Sequence, residues 1–249
     1  MSSLHKALLI LKYMGEAPYE FGVTEIADKI GMVKSGVYKL LADMSSMGFV
    51  VKDQKSRLYR LGPAVFRLGA VYSDFKGIEE VAENVMRAIV SVTHTSSLVG
   101  LLEGDVPFLA YKVDAPGSFL YHGRVGRSFP LYAGALGKIF GAYMERNHVL
   151  EILERTGMKK QTPLTVQDKE TLLKQYDEIR KNGYALSLGE NIEGAFGLSV
   201  PITDARSGSI TADLCLAGPL ELYKPECLND WLRLLREGAN EIAYKMARR

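Results

Sequence analysis

The chain has 249 residues, 47% hydrophobic and 24% charged, enough to bury a large core as one big domain or two smaller ones. Its formal net charge of +2 is too small to mark a nucleic-acid binder by itself, but residues 1–61 hold nine Lys/Arg against six Asp/Glu, leaving 22 against 23 for the remainder. Two cysteines, Cys215 and Cys227, give no disulfide framework; no apolar run reaches the ~18 residues of a membrane span, and the N-terminus lacks a signal-peptide pattern, so a soluble cytoplasmic protein is expected.

In chain order, Ser2 or Ser3 can cap a first helix in which Leu4, Ala7, Leu8, Leu11 and Met14 share one face, ending near Gly15 and Pro18. Thr24 can cap a short second helix, Glu25 to Ile30, stopped by Gly31. A third begins near Lys34, with Val33, Val37, Leu40, Leu41, Met44 and Met47 as its apolar stripe. Its opposite face presents Lys34, Ser35, Tyr38 and Lys39 and has no acid until Asp43. After Gly48, Phe49 to Val51 and Leu58 to Leu61 read as two strands around a basic turn containing Lys55 and Arg57. Together they read as a winged helix-turn-helix, which sets a helix in the major groove and a basic hairpin against phosphates. A small helical subdomain with a solvated polar face is the plainer alternative.

Gly62-Pro63 breaks the second strand, and Val65 to Tyr72 forms a helix that is apolar over a wide arc. Either a second copy of the helix or the chain's own body can cover that arc. From Gly77 a helix follows with the stripe Ile78, Val81, Ala82, Val85, Met86 and Ile89. Strand patterns then run Ser97 to Leu102, Phe108 to Val113 and Phe119 to His122. The small-residue run Pro130 to Lys138 opens a helix to about Glu145, and His148 to Thr156 forms another. Thr165-Val166-Gln167-Asp168 looks like a capping box for a helix ending at Gly183. Strands Tyr184 to Leu188, Ala195 to Ile202 and Ser209 to Leu216 precede a closing amphipathic helix containing Leu228, Trp231, Leu235 and Ile242. The fold class expected is α+β, with boundaries at 1–62, 63–77 and 78–249.

Several motifs in this order resemble the IclR family of bacterial transcriptional regulators over essentially the whole chain. They are Lys34 to Leu41 followed by Gly48-Phe49-Val50, Tyr59 to Gly62, Arg124 to Arg127 with Pro130 to Lys138, Gly183-Tyr184-Ala185 with Glu190, Gly194 and Pro201, and Gly218-Pro219. The resemblance implies an N-terminal winged helix-turn-helix, a dimerising linker helix and a C-terminal GAF-like domain that binds a small effector. Carried onto this sequence, the family's DNA contacts fall on Lys34, Ser35, Gly36, Tyr38 and Lys39, with the wing at Lys55 and Arg57. Members often have an arginine and a threonine where this chain has Lys39 and Gly36, so an arginine's bidentate guanine contact is missing.

The same resemblance places the effector at Tyr121, Phe129, Ala135, Leu136, Ser187, Glu190, Gly197, Cys215 and Ala217. Where relatives that bind small carboxylates have paired hydroxyls, this chain has Cys215 and Ala217, so its pocket is less polar. Exposed N–H groups of Ala135 and Leu136 near a helix start can still hold a carboxylate, which points to an organic acid with an apolar or aromatic body. The partners expected are double-stranded operator DNA, that effector, and a second copy or a dimer of dimers. The four histidines, His5, His94, His122 and His148, lie far apart and form no metal or nucleophile constellation, and no cofactor motif occurs. No catalytic residue, metal or cofactor is therefore expected. A ligand-independent DNA-binding protein and an enzyme built on the sensor-like domain are the alternatives.

Overall fold

Residues 1–116, 123–204 and 207–248 are described by a computed structural model, with the backbone alone at 73–76. They divide into two compact units, Met1–Gly77 and Ile78–Arg249. The expected strand Phe119 to His122, and with it Tyr121, lies outside the described residues.

The first unit runs α1 (Ser3–Met14), α2 (Val23–Ile30), α3 (Lys34–Ser46), β1 (Val50–Lys52), β2 (Tyr59–Leu61) and α4 (Pro63–Lys76). Ser2 starts α1 by accepting the His5 N–H at 3.2 Å. α1 enters the core through Ile10 and Met14, with Ala7 and Leu11 of the expected stripe packed against it, whereas Leu4 and Leu8 are exposed, so the stripe is turned toward Ile10. Thr24 is not the cap of α2. Gly22 is, and the Glu25 carboxylate reaches back to its N–H at 2.7 Å. In α3, Val37, Leu41 and Met44 are buried, whereas Val33 and Met47 sit at the two caps, beyond the helical repeat, and are exposed. β1 and β2 pair antiparallel with Val50 opposite Leu61, and Phe21 bridges to Tyr59 as a short third strand.

The second unit holds α5 (Ile78–Thr93), β3 (Ser96–Glu103), β4 (Val106–Val113), α6 (Ala135–Tyr143), α7 (Arg146–Thr156), α8 (Lys169–Asn182), β5 (Ala185–Leu188), β6 (Ala195–Thr203), β7 (Ile210–Pro219) and α9 (Leu228–Met246). The five strands form one antiparallel sheet in the order β4-β3-β7-β6-β5. Alternation along the strands sends Val99, Leu214 and Leu216 to one face against α5 and α9, and Leu98, Cys215 and Ala217 to the other against α6 to α8. The cap of α8 is Asp168, which accepts the Thr171 N–H at 2.7 Å. Thr165, expected to open a capping box there, instead donates to the Glu190 carbonyl at 2.7 Å. Among the described residues no helix is long and apolar enough to cross a membrane.

Candidate functional site

On the first unit, α3 leaves Lys34, Ser35, Tyr38 and Lys39 exposed along one side, with Gly36 half-buried among them. A Cβ at Gly36 would stand 3.0 Å from the Met32 methyl, so a larger residue there requires Met32 to move. The wing turn is organised by Asp53, whose Oδ1 accepts the N–H groups of Lys55 at 2.9 Å and Ser56 at 2.7 Å and the Ser56 hydroxyl at 3.0 Å. The hydrogen bonds from Ser56 hold the Asp53 carboxyl below its usual range. Arg57 follows at φ +63°, and both it and Lys55 are exposed. Among the described residues none of Lys34, Lys39, Lys55 or Arg57 forms an ion pair, so four cationic side chains are available to an anionic partner.

On the second unit, a cavity of about 60 Å³ lies between the start of α6 and the sheet. The chain turns sharply into α6 at Gly134, with φ +78° and ψ 156°. A Cβ there would meet Asn191 Cβ at 3.1 Å, so the glycine also admits the loop between β5 and β6. Gly137 packs even more tightly, since a Cβ would fall 1.9 Å from the Pro130 carbonyl oxygen. Helix geometry leaves the first N–H groups of α6 without intrahelical acceptors, and those of Ala135 and Leu136 belong to residues that line the cavity.

Of the positions read from the resemblance, Phe129, Ala135, Leu136, Ser187, Gly197, Cys215 and Ala217 come together around this one cavity. Glu190 does not join them. Its carboxylate turns toward Lys138 of α6, 2.6 Å away, and borders a separate groove with Gln175 and Tyr184. Most of the rest of the wall is apolar, with Leu98, Phe129, Leu136 and Ile192, and Asn191 adds an amide. Burial and the neighbouring Asp213 carboxyl push the Cys215 thiol well above its usual range, so it lines the wall as a neutral group. Among the described residues no group of three His, Cys, Asp or Glu is placed to hold a metal ion.

Residues 71–244 match the family model described as bacterial transcriptional regulator IclR, C-terminal, and residues 3–54 match the IclR helix-turn-helix domain. The chain belongs to the IclR family. It is 32% identical over 246 residues to the HTH-type transcriptional regulator KdgR of Escherichia coli strain K12, a match covering 99% of this chain and 93% of that protein. The crystal structure of a putative IclR transcriptional regulator from a Silicibacter species has the same fold, with a TM-score of 0.86 at 23% identity over 98% of this chain and 96% of that one. An IclR homologue from Microbacterium hydrocarbonoxydans, crystallised with 4-hydroxybenzoate, gives a TM-score of 0.77 at 20% identity over all of both chains.

This IclR-family regulator thus combines a DNA-binding helix-turn-helix with the family's C-terminal effector-binding domain. Sequence reasoning missed Leu98, Asn191, Ile192 and Phe196 in the cavity wall. Leu98 reaches it because β3 lies beside β7 in the sheet, an adjacency no local pattern encodes, whereas the Phe196 ring stacks on Trp231 on the opposite face.

Proposed function

We propose that the protein controls transcription through an operator affinity set by a small organic acid with an apolar or aromatic body. The observation that supports this reading best is the opening of the α6 N-terminus into a cavity whose wall is mostly apolar. The positive end of the helix dipole and the N–H groups of Ala135 and Leu136 suit a carboxylate, while Leu98, Phe129 and Leu136 suit a hydrocarbon body. That an IclR homologue of the same fold was crystallised with 4-hydroxybenzoate agrees with this chemistry.

Lys34, Ser35, Gly36, Tyr38 and Lys39 would face the major groove, with Lys55 and Arg57 on flanking phosphates. The exposed Phe66, Leu68, Val71 and Tyr72 of α4 fit a homodimer that pairs two such modules on two half-sites. Effector would bind one of two dimer arrangements more tightly and so change operator affinity. By linkage, operator must change effector affinity by the same factor.

The test is calorimetry with benzoate, 4-hydroxybenzoate and their methyl esters, followed by anisotropy on DNA from upstream of the protein's own gene with and without the acid. Binding of an acid but not its ester, with a matching change in operator affinity, supports the reading. Operator binding indifferent to every acid would favour the ligand-independent alternative.

A further inference from the structure

Asp213 is fully buried on β7, at 0% exposure, and among the described residues no lysine, arginine or histidine pairs with its carboxyl. Its partners are neutral: the Ser199 hydroxyl on β6 at 2.6 Å and the Gly100 N–H on β3 at 2.7 Å. Two neutral donors stabilise a carboxylate but do not replace the hydration lost on burial, and desolvation pushes this group up to about 7. Its charged and neutral forms therefore exchange near neutral pH.

The carboxyl stands directly behind the cavity wall. A Cβ at Gly100 would fall 3.0 Å from Leu136 Cγ and closer still to Asp213 Oδ1, so only a glycine lets these two side chains crowd the same point. Leu136 lines the cavity. Cys215 lines it too, follows Asp213 by two residues on the same face of β7, and pairs across the sheet with Ser199, which donates to Asp213. A single layer of side chains, Leu136 and Cys215, thus separates the carboxyl from the cavity.

The elements packed on this face bring no charge that neutralises Asp213. On its own strand, the Cys215 thiol is pushed well above its usual range by burial and stays neutral. Burial likewise raises Tyr176 of α8, whose hydroxyl donates to the Leu131 carbonyl at 2.8 Å. Lys138 of α6 is held by Glu190, and His148 and Arg155 of α7 bind Asp105 at the β3–β4 turn. β4 and α7 add the apolar Leu109, Val149 and Ile152 to the layer.

We infer that Asp213 makes effector binding respond to pH: one side-chain layer behind the cavity, its carboxyl repels a bound carboxylate when charged and tolerates it when neutral. This rests on the carboxylate reading given above. Like charges separated by one such layer, ~8 to 10 Å, weaken binding by about tenfold at the effective dielectric of a protein. Affinity for the acid therefore rises as pH falls through the range in which Asp213 gains its proton, and by reciprocity a bound acid draws a proton onto Asp213. A regulator built in this way answers its acid more strongly when the surroundings acidify, as accumulation of the acid itself would make them.

Benzoate, 4-hydroxybenzoate and butanoate are titrated calorimetrically into wild type, Asp213→Asn and Ser199→Ala at about pH 6, about pH 7.5 and about pH 8.5, in paired buffers of different ionisation enthalpy. Melting at each pH without ligand checks the fold. An acid bound by wild type should bind about fivefold or more tightly at the lowest pH than at the highest, and take up about half a proton at the middle one. In Asp213→Asn, which stays neutral, the tight affinity should persist at every pH with no such uptake. Ser199→Ala removes a donor that favours the charged form, so its change in affinity should move to higher pH. That variant retains Asp213 and decides the matter if Asp213→Asn does not fold. Wild-type affinity independent of pH, a pH dependence retained in folded Asp213→Asn, or one unmoved in Ser199→Ala would overturn the role of Asp213 while leaving the carboxylate reading intact. No binding of any acid at any pH would overturn both.

Discussion

Lys138 of α6 holds Glu190 of the β5–β6 loop through both carboxylate oxygens, with Nζ 2.7 Å from Oε1 and 2.6 Å from Oε2. The Oε1 contact is an aligned hydrogen bond; the Oε2 contact is electrostatic, since that oxygen has no well-oriented donor. Both side chains are largely buried, at 3% and 14% exposure, so their mutual attraction is weakly screened and each offsets the other's desolvation. Lys138→Met leaves a buried carboxylate unpaired and should cost about 3–5 kcal/mol. The double variant Lys138→Met/Glu190→Gln should recover much of that loss. Urea unfolding of the two singles and the double measures it, and additive losses would rule out the coupling.

Asp213 gives the second unit a pH dependence of definite sign. Its carboxyl is fully buried, accepts the Ser199 hydroxyl at 2.6 Å and the Gly100 N–H at 2.7 Å, and is pushed by desolvation up to about 7. In the unfolded chain an aspartate titrates near ~3.9. The folded protein therefore keeps a proton that the unfolded chain has already lost. The resulting stability is fully present below that unfolded value, declines as pH rises, and is gone above about 7. Asp213→Asn cannot titrate, so unfolding midpoints of wild type should fall relative to the variant between about pH 4 and about pH 7. A constant difference across that range would show that Asp213 titrates normally.

Much of this architecture was legible because local physics fixes it. The α5 stripe from Ile78 to Ile89 and the left-handed Gly183 after α8 follow from helical period and capping alone. Local rules fail where a long-range partner competes for a side chain. Thr165 reads as a cap, but its hydroxyl serves the Glu190 carbonyl 25 residues on. Glu190 reads as an effector ligand, and Lys138 draws its carboxylate away from the cavity. Asp213 is hidden in an apolar strand pattern; an isolated acid within such a run was the available signal, and only the pairing of β7 with β3 and β6 supplies its donors. Asn191 is invisible to local pattern because its place depends on how closely the loop approaches Gly134.

Removing cations from α3 and from the wing should have distinguishable effects on DNA. Lys34 and Lys39 are exposed on the helix assigned to the major groove, whereas Lys55 and Arg57 sit on a turn braced by Asp53. Weaker phosphate neutralisation by the wing lowers affinity evenly across sequences, and Lys55→Ala/Arg57→Ala should reduce the slope of log affinity against log salt by about 2. Lys34→Ala/Lys39→Ala should also lower the ratio of operator to bulk-DNA affinity, because groups reaching base edges carry discrimination. Anisotropy titrations at several salt concentrations separate the two. An unchanged ratio in the α3 variant would remove Lys34 and Lys39 from base readout.

The apolar surface of α4 makes the last prediction. Phe66 is 81% exposed, and Leu68, Val71 and Tyr72 are each more than half exposed in the single chain. Four large apolar side chains on one exposed helix are a poor match for water and a suitable surface for the same helix of a second copy. Such an interface is isologous, so a charge placed on it meets its own copy across the two-fold axis and is disfavoured twice. If the proposed α4 dimer forms, Phe66→Glu should convert it to monomer in sedimentation velocity without lowering the melting temperature of a folded monomer by more than a few degrees, since Phe66 has little internal packing to lose. It should also weaken operator binding, because two half-sites would no longer be engaged together. A variant that stays dimeric with unchanged operator affinity would move the dimer interface elsewhere on the chain.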